Sequence, residues 1–229
     1  MNSAKAGNGI EFGFDKIVPL ENSPLAGTRI CILGSSVVFG SAAEECAVGE
    51  FLAARFGAEL TKEAVSGTTL TDIGEQSYIQ RMKRNILKDV AFSLFICQLS
   101  TNDTRDSLNL PLGDIAEGRE LEDFDTHTIT GALEYIICYA MKTWNCPVVF
   151  FTGSRFDSEK YCKMVVRLLE LKEKWGIGVL DLWSNEGFNT LSEEQRMLYM
   201  SDPVHPLKAG YRDWWGPEME RQLLDYMSF

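Results

Sequence analysis

The chain reads as an α/β protein, three layers in the order α/β/α around a five-stranded parallel sheet, and three observations predict this. Five short apolar runs are rich in branched and aromatic residues, segments of helical periodicity separate them, and 229 residues suffice to bury a core within one domain. Strands that alternate with helices argue for parallel pairing, because the intervening helix carries the chain back to the same end of the sheet. Near-continuous apolar runs argue that helices cover both sheet faces.

Taken in order, residues 1–28 carry Gly, Asn and Pro throughout and are expected to form an arm ahead of a single domain over 29–229. Strands are expected at 29–33, 59–65, 91–99, 148–151 and 178–182. Ile129, Leu133, Ile136, Ile137, Ala140, Met141 and Trp144 recur at helical spacing and make one apolar stripe. Tyr161, Met164, Val165, Leu168 and Leu169 repeat the pattern behind a cap at Ser158. Residues 103–125 form a long acidic connection of the kind that is usually functional or mobile. Gly216-Pro217 interrupts the last helical pattern, which predicts two helices or one kinked helix.

Bulk properties exclude several roles. A net charge of −11 and a pI near 4.7 disfavour binding to nucleic acid or to an anionic membrane, since both need clustered Lys and Arg. No apolar run reaches the length of a membrane span, and the first 20 residues lack the apolar core of a secretory signal, so a soluble cytoplasmic protein is expected. The six cysteines include no CxxC pair, and Cys31, Cys97 and Cys138 lie in apolar runs, as reduced core thiols do. With two histidines and no paired cysteines, no zinc site and no cofactor are expected.

The segment Ser201-Asp202-Pro203-Val204-His205-Pro206 puts a carboxylate three residues before an imidazole. A general base for acyl transfer needs a neutral histidine whose second ring nitrogen is held by an acceptor, and Asp202 and His205 can supply both parts. In open parallel sheets ligands bind beyond the carboxyl ends of the strands. The residues that follow those ends are Gly34-Ser35-Ser36, Ser66-Gly67-Thr68 and Ser100-Thr101-Asn102-Asp103, with Asp202 and His205 later.

In this order of a serine, a glycine, an asparagine and a histidine, residues 28–214 resemble the SGNH hydrolases, also called GDSL-type esterases and lipases. The resemblance implies a flavodoxin-like fold, Ser36 as nucleophile, and Asp202 and His205 as the rest of a triad. It also implies oxyanion donors from the Ser36 amide, the Gly67 amide and the Asn102 side chain. The segment Pro206-Leu207-Lys208-Ala209-Gly210-Tyr211 is similar to the family's continuation. Two positions depart from the pattern: Ser35 stands where the family has aspartate, and Ser100 where it has glycine. Ser35 and Ser36 compete for the nucleophile's role, and the spacing after Gly34 favours Ser36. Implied substrates are small-molecule or carbohydrate esters, short acyl and acetyl groups ahead of long lipids.

Each segment alone has a plainer reading. Gly34-Ser35-Ser36 can be a helix-capping turn, Thr101-Asn102-Asp103 a polar turn, and the Asp202–His205 stretch a proline-bounded turn. Their order and common placement at strand ends favour a site. The elbow Gly-x-Ser-x-Gly is absent, since Val38 occupies its last position. His127 is expected to be exposed and Gly153-Ser154 to be a turn. Arg105 and Arg155 follow strand ends, where ion pairing with Asp106, Asp157 or an acidic helix is expected ahead of a substrate anion. Trp183, Phe39 and the 103–125 connection could border a pocket, with packing the default for the aromatics. Two alternatives stay open: a thioesterase or acyltransferase using the same residues, and a non-catalytic flavodoxin-like module whose hydroxyl and amide donors hold a phosphate-bearing ligand.

Overall fold

The computed structural model describes residues 5–228. Its main elements are β1 (Arg29–Gly34), α1 (Ser36–Phe39), α2 (Val48–Phe56), β2 (Glu59–Ala64), α3 (Tyr78–Asn85), β3 (Leu94–Gln98) and α4 (Ile129–Trp144). They continue with β4 (Val148–Phe151), α5 (Glu159–Trp175), β5 (Gly178–Leu180), α6 (Glu186–Asn189), α7 (Glu193–Tyr199), α8 (Lys208–Gly210) and α9 (Gly216–Met227). The strands form one sheet in the order β2-β1-β3-β4-β5, and every neighbouring pair is parallel.

Alternation along the strands explains the layers. Cys31, Leu33, Phe95, Cys97, Val148 and Phe150 point to one face, where the stripes of α3, α4 and α5 cover them. Ile30, Ile32, Leu94, Ile96, Val149 and Phe151 point to the other, beneath α2 and α9. Because both faces are buried, the central strands read as unbroken apolar runs rather than alternating ones. β2 lies at the sheet edge, half-buried along most of its length, which suits its polar sequence Glu-Leu-Thr-Lys-Glu-Ala.

Three strands are shorter than the sequence predicts, β2 by one residue and β3 and β5 by more, the last two for a reason of register. Ile30 pairs with Leu94, so Ser93 stands opposite the first residue of β1 and residues 91–92 precede it; the Ser93 N–H donates to the Arg29 carbonyl at 2.9 Å. Residues 181–182 run past the end of β4, and the Thr152 hydroxyl oxygen accepts the Leu182 and Trp183 N–H groups at 2.9 and 3.0 Å in place of a ladder. The C-terminal break is also milder than expected. A π turn over Tyr211–Trp215 joins α8 to α9, with the Gly216 N–H donating to the Tyr211 carbonyl, so Pro217 enters at the first turn of α9 and the helical path continues.

The 103–125 connection is tied down along α4 and α5. The buried Glu134 carboxylate accepts from the Ala116 N–H at 2.8 Å and pairs with Lys174 at 2.6 Å, and Lys174 also donates to the Gly118 carbonyl at 2.9 Å. Trp183 packs against Phe156 and Tyr161, with ring centroids 5.2 and 4.9 Å away.

Phe151 is fully buried and meets Trp215 edge-on at 6.5 Å, joining the sheet to the last helical run. Phe151→Ala is expected to lower stability by about 3–5 kcal/mol, read as a lower urea midpoint at unchanged slope.

Candidate active site

The order β2-β1-β3 means that the chain leaves β1 toward one side of the sheet and β3 toward the other. A crevice opens above the carboxyl ends of these two strands. The ends are in register, Leu33 opposite Cys97, so the turn after Gly34 and the turn after Gln98 lie side by side. The Gln98 side-chain oxygen accepts the Ser35 N–H at 2.9 Å, fixing the first turn to the second strand. Glycine is required at 34, because a Cβ there would lie 2.2 Å from a Val38 methyl and 2.8 Å from the Gln98 side-chain oxygen.

Ser36 opens α1, and its Oγ lies 2.8 Å from His205 Nε2. His205 Nδ1 lies 2.8 and 3.0 Å from the two Asp202 oxygens. A carboxylate only accepts, so Nδ1 carries the ring proton and Nε2 faces the serine as an acceptor. Ser35, by contrast, is fully buried, and its Oγ contacts Gln98 and Asn102 rather than a base. The geometry thus separates the two serines that the sequence left in competition.

Three residues of one loop set Asp202 and His205 together. Asp202 Oδ1 accepts the backbone N–H of Val204 at 2.8 Å and of His205 at 2.9 Å, closing a tight turn that swings the imidazole toward the carboxylate. Partial burial alone would raise the Asp202 pKa; the two backbone N–H groups and the His205 ring outweigh it, leaving the carboxyl below its ordinary value. The N-terminal arm braces this loop from outside. Lys5 donates to the Ser201 carbonyl at 2.9 Å, and Asn8 spans the Ala42 carbonyl at 2.8 Å and the Lys208 N–H at 3.1 Å.

The groups expected to donate to an oxyanion lie on three turns. Neither the Ser36 nor the Gly67 N–H meets a backbone acceptor among the described residues. Gly67 holds φ +81°, a left-handed conformation that only glycine adopts without strain. Asn102 Nδ2 lies 2.9 Å from the Thr68 carbonyl and 3.1 Å from Ser35 Oγ. Ser100, in the position that departs from the family pattern, accepts the Asn102 N–H through its hydroxyl at 3.1 Å. Asp103 next to it is buried and accepts from the Leu70 and Thr71 amides at 2.9 and 3.0 Å, tying the third turn to the chain after the second. Desolvation raises the Asp103 pKa despite these bonds.

Sequence reasoning missed Arg81. Its side chain is fully buried, pairs with Glu63 at 2.9 Å, and donates to the Gly34 carbonyl at 2.8 Å, Thr68 Oγ1 at 3.1 Å and the Gln76 carbonyl at 3.0 Å. A signal was present, because Arg81 stands among Tyr78, Ile79 and Met82 on the buried side of α3. Two expectations are corrected. Arg105 and Arg155 form no ion pair with any described carboxylate: Arg105 donates to Asn102 Oδ1 at 2.5 Å, and Arg155 to the Trp183 carbonyl at 3.2 Å. Both lie where backbone or amide oxygens are nearer than carboxylates. His127 is exposed, and the Gly153 N–H donates to the Tyr161 hydroxyl at 2.9 Å in a turn without a base.

Comparison with solved structures places this arrangement in a known fold. A protein from Lactobacillus plantarum superposes with a TM-score of 0.69 at 20% identity, over 89% of this chain and 98% of that one. The native M. smegmatis aryl esterase gives 0.62 at 15% identity, over 87% and 100%. A candidate GDSL-like lipase from Bacteroides ovatus gives 0.58 at 17%, over 89% and 99%. No family model and no curated protein matches the chain. The fold is that of the SGNH hydrolases.

Arg81→Met is expected to reduce stability by about 3–5 kcal/mol, because it strands Glu63 and three backbone or hydroxyl acceptors; chemical denaturation checks this. The lowered Asp202 pKa gives a second expectation. Its contribution to stability is present above the ordinary aspartate value of about 3.9 and lost as pH falls through the lower native value. The stability difference between wild type and Asp202→Asn should therefore shrink with acid below pH ~4, measured by urea titrations across that range.

Proposed function

We propose that this chain is a serine ester hydrolase of the SGNH family, with Ser36 as nucleophile, His205 as general base and Asp202 as the group that orients it. The observation that carries the reading is the unbroken series from Asp202 through His205 to Ser36, with contacts of 2.8 Å at both the carboxylate and the hydroxyl. Serine at its ordinary pKa is a weak nucleophile, and a neutral imidazole within hydrogen-bond reach removes its proton as Oγ attacks an ester carbonyl. The oxyanion that forms is met by the Ser36 and Gly67 amides and by Asn102 Nδ2. A charged oxygen outcompetes the neutral Ser35 hydroxyl for that amide hydrogen. His205 then returns the proton to the departing alkoxide, and a water that it activates hydrolyses the acyl-enzyme.

Two cavities lie beside these residues. The chain neighbours of Ser36, Asn102 and His205, namely Val37, Thr101 and Val204, line an enclosed space of about 10 Å³. That is room for a group on the order of a water or a methyl. A wider cavity of about 430 Å³ adjoins Asp202, and its border of Phe156, Met197 and Met200 beside Arg155, Asp157 and Arg196 offers apolar and charged groups to the alcohol portion of an ester. The raised pKa of the buried Cys97 thiol, caused first by desolvation, keeps that cysteine out of the chemistry. A cytoplasmic setting accompanies this reading.

The test is p-nitrophenyl acetate hydrolysis together with intact-mass labelling by a fluorophosphonate. Wild type is expected to turn over and take one adduct. Ser36→Ala should lose the adduct and lower kcat by about 10⁴ or more, His205→Ala should do comparable damage to kcat, and Ser35→Ala should keep the adduct. An unlabelled, inactive wild type that retains a phosphate-bearing ligand on purification would overturn the reading in favour of a binding module.

A further inference from the structure

Arg105 is exposed, and in a chain of net charge −11 it meets no carboxylate within ion-pair distance among the described residues. Its guanidinium instead reaches two neutral oxygens of the site, Asn102 Oδ1 at 2.5 Å and the Gly67 carbonyl at 3.4 Å. These belong to the two residues outside the nucleophile's own turn that carry the oxyanion donors. We propose that Arg105 is a positioning residue that clamps Asn102 and Gly67 together and sets which end of the Asn102 amide faces the crevice. The inference rests on the hydrolase reading above and extends it to a residue outside the triad and donor set.

The chemistry of the partners carries the argument. A guanidinium can only donate, so the end of the amide that meets it must be oxygen. The Thr68 carbonyl can only accept, and it lies 2.9 Å from the other end, which must therefore be the NH₂ group. Two partners of opposite character thus hold Asn102 in one orientation, with Nδ2 beside the Ser35-Ser36 turn. The cation has a second effect, since a charge-assisted bond to Oδ1 draws density from the amide and strengthens its N–H as a donor. At Gly67, the atom nearest to where a Cβ would stand is Arg105 Nη2, at 3.8 Å, so the guanidinium spans both turns.

Steady-state kinetics with p-nitrophenyl acetate on Arg105→Met, Arg105→Lys and Arg105→Glu test this, with thermal unfolding of each variant alongside. Arg105→Met is expected to lose about 10- to 100-fold in kcat at unchanged KM, because a misplaced donor is felt as the oxyanion forms. Arg105→Lys, still a donor, should recover part of the loss. Arg105→Glu should fall below Arg105→Met, because a carboxylate only accepts and competes with Thr68 for the NH₂ end. Melting temperatures should match wild type in all three. An Arg105→Met variant with wild-type kcat, a loss confined to KM, or a Glu variant as active as the Lys variant would overturn the inference alone. A wild type with neither turnover nor a serine adduct would overturn the hydrolase reading and this inference together.

Discussion

The fully buried guanidinium of Arg81 is the interaction on which the rest of the site depends. It rises from α3 into the space between the ends of β1 and β2 and binds Glu63, the Gly34 carbonyl and Thr68 Oγ1 at once. Gly34 directly precedes the two serines, and Thr68 directly follows Gly67. One rigid planar fork therefore holds the Ser35-Ser36 turn and the Gly67 turn at a fixed separation. Such a charge is tolerable without solvent only because its donors are met by well-placed acceptors.

Around that centre the site is assembled from turns tied to one another rather than to a rigid helix. Gln98 holds the Ser35 amide, Asp103 holds the amides of residues 70 and 71, and Asn102 reaches across to Thr68. Each bond joins two different strand ends. A buried carboxylate at 103 is a local penalty, and the network that surrounds it offsets that cost. The Asp202–His205 loop comes from far along the chain and is held from two sides. Its own backbone amides grip Asp202, and the arm at Lys5 and Asn8 fastens its flanks. This accounts for an ordered arm at the start of a chain whose sheet begins only at Arg29.

Much of this was legible in the sequence. Apolar runs buried on both faces announced the central strands, and the stripes from Ile129 and Tyr161 became α4 and α5, with Ser158 capping α5 through the Tyr161 amide at 3.2 Å. The turns that the structure brings together were legible as well, since turns at strand ends keep their order along the chain. Ser36, Gly67, Asn102, Asp202 and His205 all converge on the crevice. Strand limits were misjudged because a strand ends where its neighbour ends, as residues 91–92 and 181–182 show. The π turn before Pro217 was missed because one extra residue per turn leaves no mark on apolar periodicity.

By itself, the sequence determined the layer order, the parallel sheet and the identity of the groups available for chemistry. Local periodicity and turn residues are properties of neighbouring positions and can be read from them. Tertiary structure alone put Ser36, and not Ser35, against His205, because the two adjacent hydroxyls differ in which one meets an imidazole across 169 positions of chain. It also set the partners of two arginines: Arg81 is buried against Glu63, the Gly34 carbonyl and Thr68 Oγ1, and Arg105 meets Asn102 Oδ1 rather than a carboxylate. Hydrogen-bond partners are chosen by distance and by donor or acceptor character, and for residues far apart in sequence only the folded chain sets both.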